Sequence, residues 1–141
     1  MSTRSLIGIK EDKGITFVYC HFDGYLNGVG TTLVNYYDTE EKIHELLERG
    51  DISSLGEDIE SCDFYKDRGE DDVNSCLIPT TPDLLDRYYI CGQKSWADYV
   101  YLFEDGEWKF SVERCKMVNG AISYLPAEWK SVQKELKAKK N

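Results

Sequence analysis

The stretch DYVYLFEDGEWKFSVERC constrains the fold most, because it reads as two alternating strands around Asp105-Gly106. Tyr99, Tyr101 and Phe103 alternate with Val100 and Leu102, and Trp108, Phe110 and Val112 repeat the pattern on the return. Alternation with a period of two is the pattern of a strand, and Asp-Gly suits a two-residue type I′ turn. A second hairpin is expected earlier, from Leu6–Lys10 and Ile15–Cys20 around Asp12, Lys13 and Gly14. Ile15, Phe17 and Tyr19 then share one face, and Thr16 and Val18 the other.

The segments between and after the hairpins carry helical spacing. Val29, Leu33, Tyr36 and Tyr37 recur at helical intervals. DTEEKIHELLERG is the clearest helix, with Ile43, Leu46 and Leu47 as its apolar stripe. Asp38 is expected to cap it with Glu41 completing a capping box, and Gly50 to end it. TTPDLLDRYYICG reads as another helix, with Thr81 as cap, Pro82 in the first turn and Gly92 just past the end. A last, lysine-rich helix is expected over about 126–140, carrying Trp129, Val132 and Leu136 on one side. Residues 51–80 are dense in charge and poor in periodic apolar positions; they read as irregular, with one short strand near Phe64 and Tyr65. The expectation is one α+β domain over residues 1–141. An antiparallel sheet built from two hairpins (about 6–20 and 98–113) would carry three to four helices packed on one face.

The net charge of −9 opposes direct binding to nucleic acid or to an anionic membrane surface. That charge is concentrated. Residues 38–72 hold fourteen acids against four bases, whereas 127–141 hold five lysines against two acids. Five cysteines without C-x-x-C spacing, and a start lacking an apolar signal region, suit free thiols in a cytoplasmic protein. No apolar run approaches the length of a membrane span.

CHFDGY, residues 20–25, invites a catalytic reading. Cys20 and His21 are adjacent, so an extended strand turns them to opposite faces and they cannot pair. His21 and Asp23 could share a face, but a hydrolase built on them has no nucleophile, and one histidine with one aspartate falls short of a zinc ligand set. No catalytic residue, metal site or cofactor is assigned. In FYKDRGED, Lys66 and Arg68 stand out as cations in an acidic stretch, and Asp67 or Glu70 could hold Arg68 internally. Convergence of His21, Asp23, Tyr25, Lys66 and Arg68 would give a polar pocket with aromatic walls, suited to a nucleotide-like molecule.

MSTRSLIGIK, YCHFDGYLNGVGTTLVNYY, GDISSLGEDI, FYKDRGED and YVYLFEDGEWKFS together resemble a family of small phage and prophage proteins. Its members open with a similar Ser-Thr-Arg-Ser start and carry a Tyr-Cys-His-aromatic-Asp-Gly-Tyr run. The resemblance extends to about residue 112; the family usually has tryptophan at the position of Phe22 and proline at that of Leu26. It implies a setting rather than a reaction: a short accessory protein, of a kind that often inhibits a host enzyme or defence system. The leading expectation is a non-catalytic protein that binds a basic host protein surface through acids of segment 38–72. Glu40, Glu41, Glu45, Glu48, Asp51, Glu57 and Asp58 are the expected contacts. The alternative is sequestration of a nucleotide-like signal through the His21–Arg68 set.

Overall fold

A computed structural model of the chain describes residues 2–112, 115–124 and 127–139. The central frame is the pair of hairpins. β1 (Ser5–Glu11) and β2 (Gly14–Cys20) pair antiparallel around Asp12-Lys13. The second hairpin comprises β6 (Tyr99–Glu104) and β7 (Glu107–Val112). Its turn places Asp105 at φ 54° and Gly106 at φ 75°, the positive pair a type I′ turn requires. Residue 113, the expected end of this hairpin, lies outside the described residues.

The hairpins meet through a parallel seam in which Ser5–Ile9 of β1 run beside Tyr99–Phe103 of β6. The sheet is therefore mixed, although mostly antiparallel. Segment 51–80 contributes more to it than its sequence suggests. β3 (Ile52–Ser54) joins β2 in parallel, β4 (Asp63–Phe64) pairs with β3, and β5 (Cys76–Pro79) pairs with Gly14–Phe17 of β2. Two 3-10 turns, Ile59–Ser61 and Tyr65–Arg68, fill the intervals. β8 (Cys115–Val118) and β9 (Ala121–Tyr124) form a separate two-stranded ribbon. β10 (Lys130–Ser131) borders β7.

Alternation along the strands divides the core in two. Ile7, Ile9, Val18, Cys20, Tyr101, Phe103, Trp108 and Phe110 are buried on one face. α1 (Thr31–Tyr36), α2 (Glu40–Glu48) and α4 (Val132–Lys139) cover it with Leu33, Ile43, Leu46, Leu47 and Val132. Leu6, Ile15, Val100 and Leu102 face the other way, under Leu84 and Tyr88 of α3 (Leu84–Lys94). The α+β class is borne out with three helices on one face, and the fourth helix covers the opposite one. Each fully buried aliphatic or aromatic side chain in these clusters stabilises the fold by about 1.5–3 kcal/mol.

Several boundaries differ from the sequence pattern. Thr39 rather than Asp38 caps α2, its Oγ1 accepting from the Lys42 amide at 3.3 Å, while Asp38 takes the Lys42 ammonium at 3.2 Å. α3 begins at Leu84, and the Thr81 hydroxyl donates to the Asp83 carboxylate at 2.7 Å instead of capping. Gly92 lies inside α3, where a Cβ would sit 2.4 Å from the Val100 side chain, so its bareness lets the helix rest on the sheet. The C-terminal helix starts at Val132, not near residue 126. Trp129 precedes it and stacks on Tyr88 beneath α3, ring centroids 6.2 Å apart and nearly parallel. No helix among the described residues is long and apolar enough to cross a membrane.

Candidate functional site

Where α1 ends, the chain turns at Tyr37, which is 2 % exposed, and re-enters a helix at Glu40. This places the last turn of α1 beside α2. The Tyr37 hydroxyl donates to the Gly56 carbonyl at 2.8 Å and lies 3.6 Å from Cys62 Sγ. Cys62 Sγ accepts from the Gly56 amide at 3.2 Å and donates to the Asp58 carbonyl at 3.3 Å. Asp58 and Ser61 close a reciprocal cap, Ser61 N to Asp58 Oδ1 at 2.9 Å and Asp58 N to Ser61 Oγ at 3.2 Å. Residues 56–62 are thereby held as a rim against Tyr37.

The rim, α2 and the end of α1 enclose a cleft of about 470 Å³ lined by Tyr36, Tyr37, Lys42, Glu45, Glu57, Asp58, Ile59 and Glu60. Lys42 is already engaged by Asp38, which leaves the four acids as the uncompensated charge of the cleft. Burial pushes the Tyr37 phenol far above its ordinary range; the Cys62 hydrogen bond adds to this, as do the charges of Asp58 and Glu45. The phenol is therefore a neutral donor, and the cleft presents carboxylates above an aromatic wall. Such a surface suits a cation, by charge and by the attraction of cations to ring faces.

Of the seven acids expected to bind a partner, Glu45, Glu57 and Asp58 converge on this cleft. Glu40, Glu41 and Glu48 are exposed on α2, where Glu41, Glu45 and Glu48 follow the spacing of one helical face. Asp51 departs from the set. It is half-buried, and its Oδ1 accepts the Tyr19 amide at 2.9 Å. Burial raises its carboxyl above the ordinary value, the Tyr19 bond and Lys66 opposing. Glu60, Tyr36 and Tyr37 belong to the cleft although their sequence signal, an acid among acids and a tyrosine pair at a helix end, did not mark them.

The second set divides. Arg68 bonds the Ser53 hydroxyl and His21 lies on the strand beside β3, its amide on the Ile52 carbonyl, whereas Asp23 and Tyr25 stand on the loop beyond β2, whose Gly24 amide bonds the Thr3 carbonyl. There the Tyr25 hydroxyl donates to Asp23 at 3.4 Å, and Asp23 takes a left-handed conformation, φ 57°. Lys66 is close enough to Asp51 to act on its carboxyl. The expected internal acid partner of Arg68 is Asp63, not Asp67 or Glu70. Cys20 is buried on the opposite face from His21, with its thiol pushed up to about 12 by burial. The described residues hold no group of three histidine, cysteine or acidic side chains placed to bind a metal ion. Neither a family model, nor a curated protein, nor a solved structure matches this chain.

Proposed function

We propose that the chain is a non-catalytic binding protein that docks on a basic surface of a partner protein, with the Glu45–Glu57–Asp58–Glu60 cleft as its anchor. The observation that carries this reading is the convergence of those carboxylates, from two separate stretches of sequence, on a cleft walled by Tyr36 and Tyr37. A lysine or arginine side chain entering it would meet these carboxylates beside the exposed Tyr36 ring. The exposed acids of α2 extend the negative surface beside it and would steer a cationic partner at low salt. The resemblance to small phage and prophage proteins supports a phage-type accessory role in a bacterial host cytoplasm, in which the partner is a host protein, a defence component included, and binding inhibits it.

The test is capture from host lysate on immobilised protein, with the Glu45→Gln/Glu57→Gln/Asp58→Asn variant in parallel. A basic protein retained at low salt, released at high salt and lost from the variant is the expected result. Retention indifferent to both salt and the three substitutions would overturn the reading.

A second reading, recognition of a nucleotide-like small molecule through His21 and Arg68, is supported by a different observation: Arg68 bonds the Ser53 hydroxyl, and the Phe22 amide, next to His21, bonds the Ser53 carbonyl.

A further inference from the structure

β5 pairs with β2 over Gly14–Phe17, and no strand among the described residues pairs with its other edge. What that edge offers follows from the register. The Thr80 amide donates to the Lys13 carbonyl at 3.2 Å, so Lys13 and Thr80 form a hydrogen-bonded pair. Bonded and non-bonded pairs alternate along an antiparallel ladder. Ile15–Ile78 and Phe17–Cys76 are then bonded pairs, whereas Gly14–Pro79 and Thr16–Leu77 are not. The N–H and C=O of Leu77 and the C=O of Pro79 therefore point away from β2, where they make no hydrogen bond among the described residues. Proline has no N–H to leave unpaired, which suits it to such an edge.

Alternation turns Ile78 toward α3, where it is buried, and Leu77 to the opposite face, where it is 48 % exposed. Along this edge α3 presents Arg87, Ile90 and Lys94, spaced on one helical face. They and Leu77–Pro79 enclose a groove of about 310 Å³ whose lining includes two cations and no acid. Ile90 is 44 % exposed there. Arg87 shares its charge with Asp83 at 3.3 Å, while Lys94 makes no ion pair among the described residues. An open strand edge beside half-exposed apolar side chains is a template for a further strand. Charge selects the occupant. A second copy pairing antiparallel through the same edge would bring two Arg87–Lys94 faces together, like charge against like.

We infer that the open edge of β5 receives an extended acidic segment of a partner protein as an added strand. Its backbone bonds the N–H and C=O of Leu77 and the Pro79 carbonyl. Its side chains alternate: acids on one face meet Lys94 and Arg87 over Ile90, and apolar residues on the other cover Leu77. The edge shares no residue with the acidic cleft, so either site can fail without the other.

The experiment is amide exchange by NMR on the full chain, titrated with the capped peptide Glu-Val-Glu-Val-Glu-Val. In the free protein the Leu77 amide is expected to exchange faster than those of Cys76 and Ile78, which bond β2. Peptide at about ten times its Kd is expected to slow Leu77 exchange about tenfold. A Lys-Val counterpart, which reverses the charge, and a Glu-Val peptide N-methylated at alternate residues, which loses the donors of one edge, are expected not to bind. Lys94→Glu, at an exposed position, is expected to weaken the Glu-Val peptide about tenfold; the two control peptides decide the matter if that variant fails to fold. Leu77 exchange unchanged at millimolar Glu-Val peptide, or equal binding of either control, would overturn the assignment. Leu77 protection that rises with protein concentration in the absence of peptide would also overturn it and give the edge to a second copy.

Discussion

The indole Nε1 of Trp108 donates to the backbone carbonyl of Tyr37 at 2.8 Å, and both residues are buried. The bond ties the second hairpin to the point where α1 ends and the acidic cleft begins. Trp108→Phe keeps an aromatic ring in the core and leaves that carbonyl without its donor. A loss of about 1–3 kcal/mol is expected, the cost of an unsatisfied buried acceptor. Urea denaturation measures it; a variant as stable as the parent would show that the carbonyl finds another donor.

Gly14 opens β2 at φ 139°, and a Cβ there would lie 1.9 Å from the Ile78 carbonyl oxygen. Gly14→Ala forces β2 and β5 apart and imposes a strained backbone. It is expected to cost about 3 kcal/mol or more and to raise amide exchange along β5. Parent-like exchange at Ile78 would contradict this.

Glu104 accepts from the Lys10 ammonium at 2.7 Å and from that of Lys109 at 2.9 Å. Burial works to raise its carboxyl, but the two lysines outweigh burial and hold it below the ordinary 4.5. A folded value below the unfolded one means the contribution is fully present above 4.5 and is lost as pH falls through the lower folded value. Glu104→Gln is accordingly expected to cost about 1 kcal/mol at neutral pH after solvent screening, a gap that closes on acidification. Stability curves of both proteins against pH check it, and a gap that widened in acid would refute the pairing.

Among the thiols whose side chains are described, Cys20 is fully buried and Cys76 is exposed. Burial holds Cys20 protonated, at about 12, whereas Cys76 is raised less. Iodoacetamide is expected to modify Cys76 in the folded protein and Cys20 only once denaturant is added, because the thiolate is the reactive form. Peptide mass spectrometry reads the order.

Both hairpins were legible because their signal is local: alternation, and turn residues such as Asp105 and Gly106 that tolerate positive φ. The stripe Ile43, Leu46 and Leu47 marked α2 for the same reason. Its cap was less legible, since Asp38 and Thr39 are both capping residues and the ammonium of Lys42 drew Asp38 away. The start of α4 depends on Trp129 reaching Tyr88 under α3, a contact that helical spacing does not encode. The density of acids was plain, but which of them meet is set by the Tyr37–Gly56 and Cys62 bonds that fold residues 56–62 onto α1. Asp51 was lost from the acidic set because a backbone amide claimed it. Arg68 was marked as a candidate, but its bond to Ser53 was not legible, because a serine in a strand of three residues carries no signal of it.

The parallel seam between β1 and β6 has a consequence for how the chain is made. β1 leaves the ribosome long before β6 exists, so its inner edge must wait unpaired while most of the protein is translated. That edge carries Ile7 and Ile9, the kind of surface that invites pairing between nascent chains. Only the second hairpin, β6 and β7, closes that edge, so a chain truncated before residue 99 is expected to aggregate.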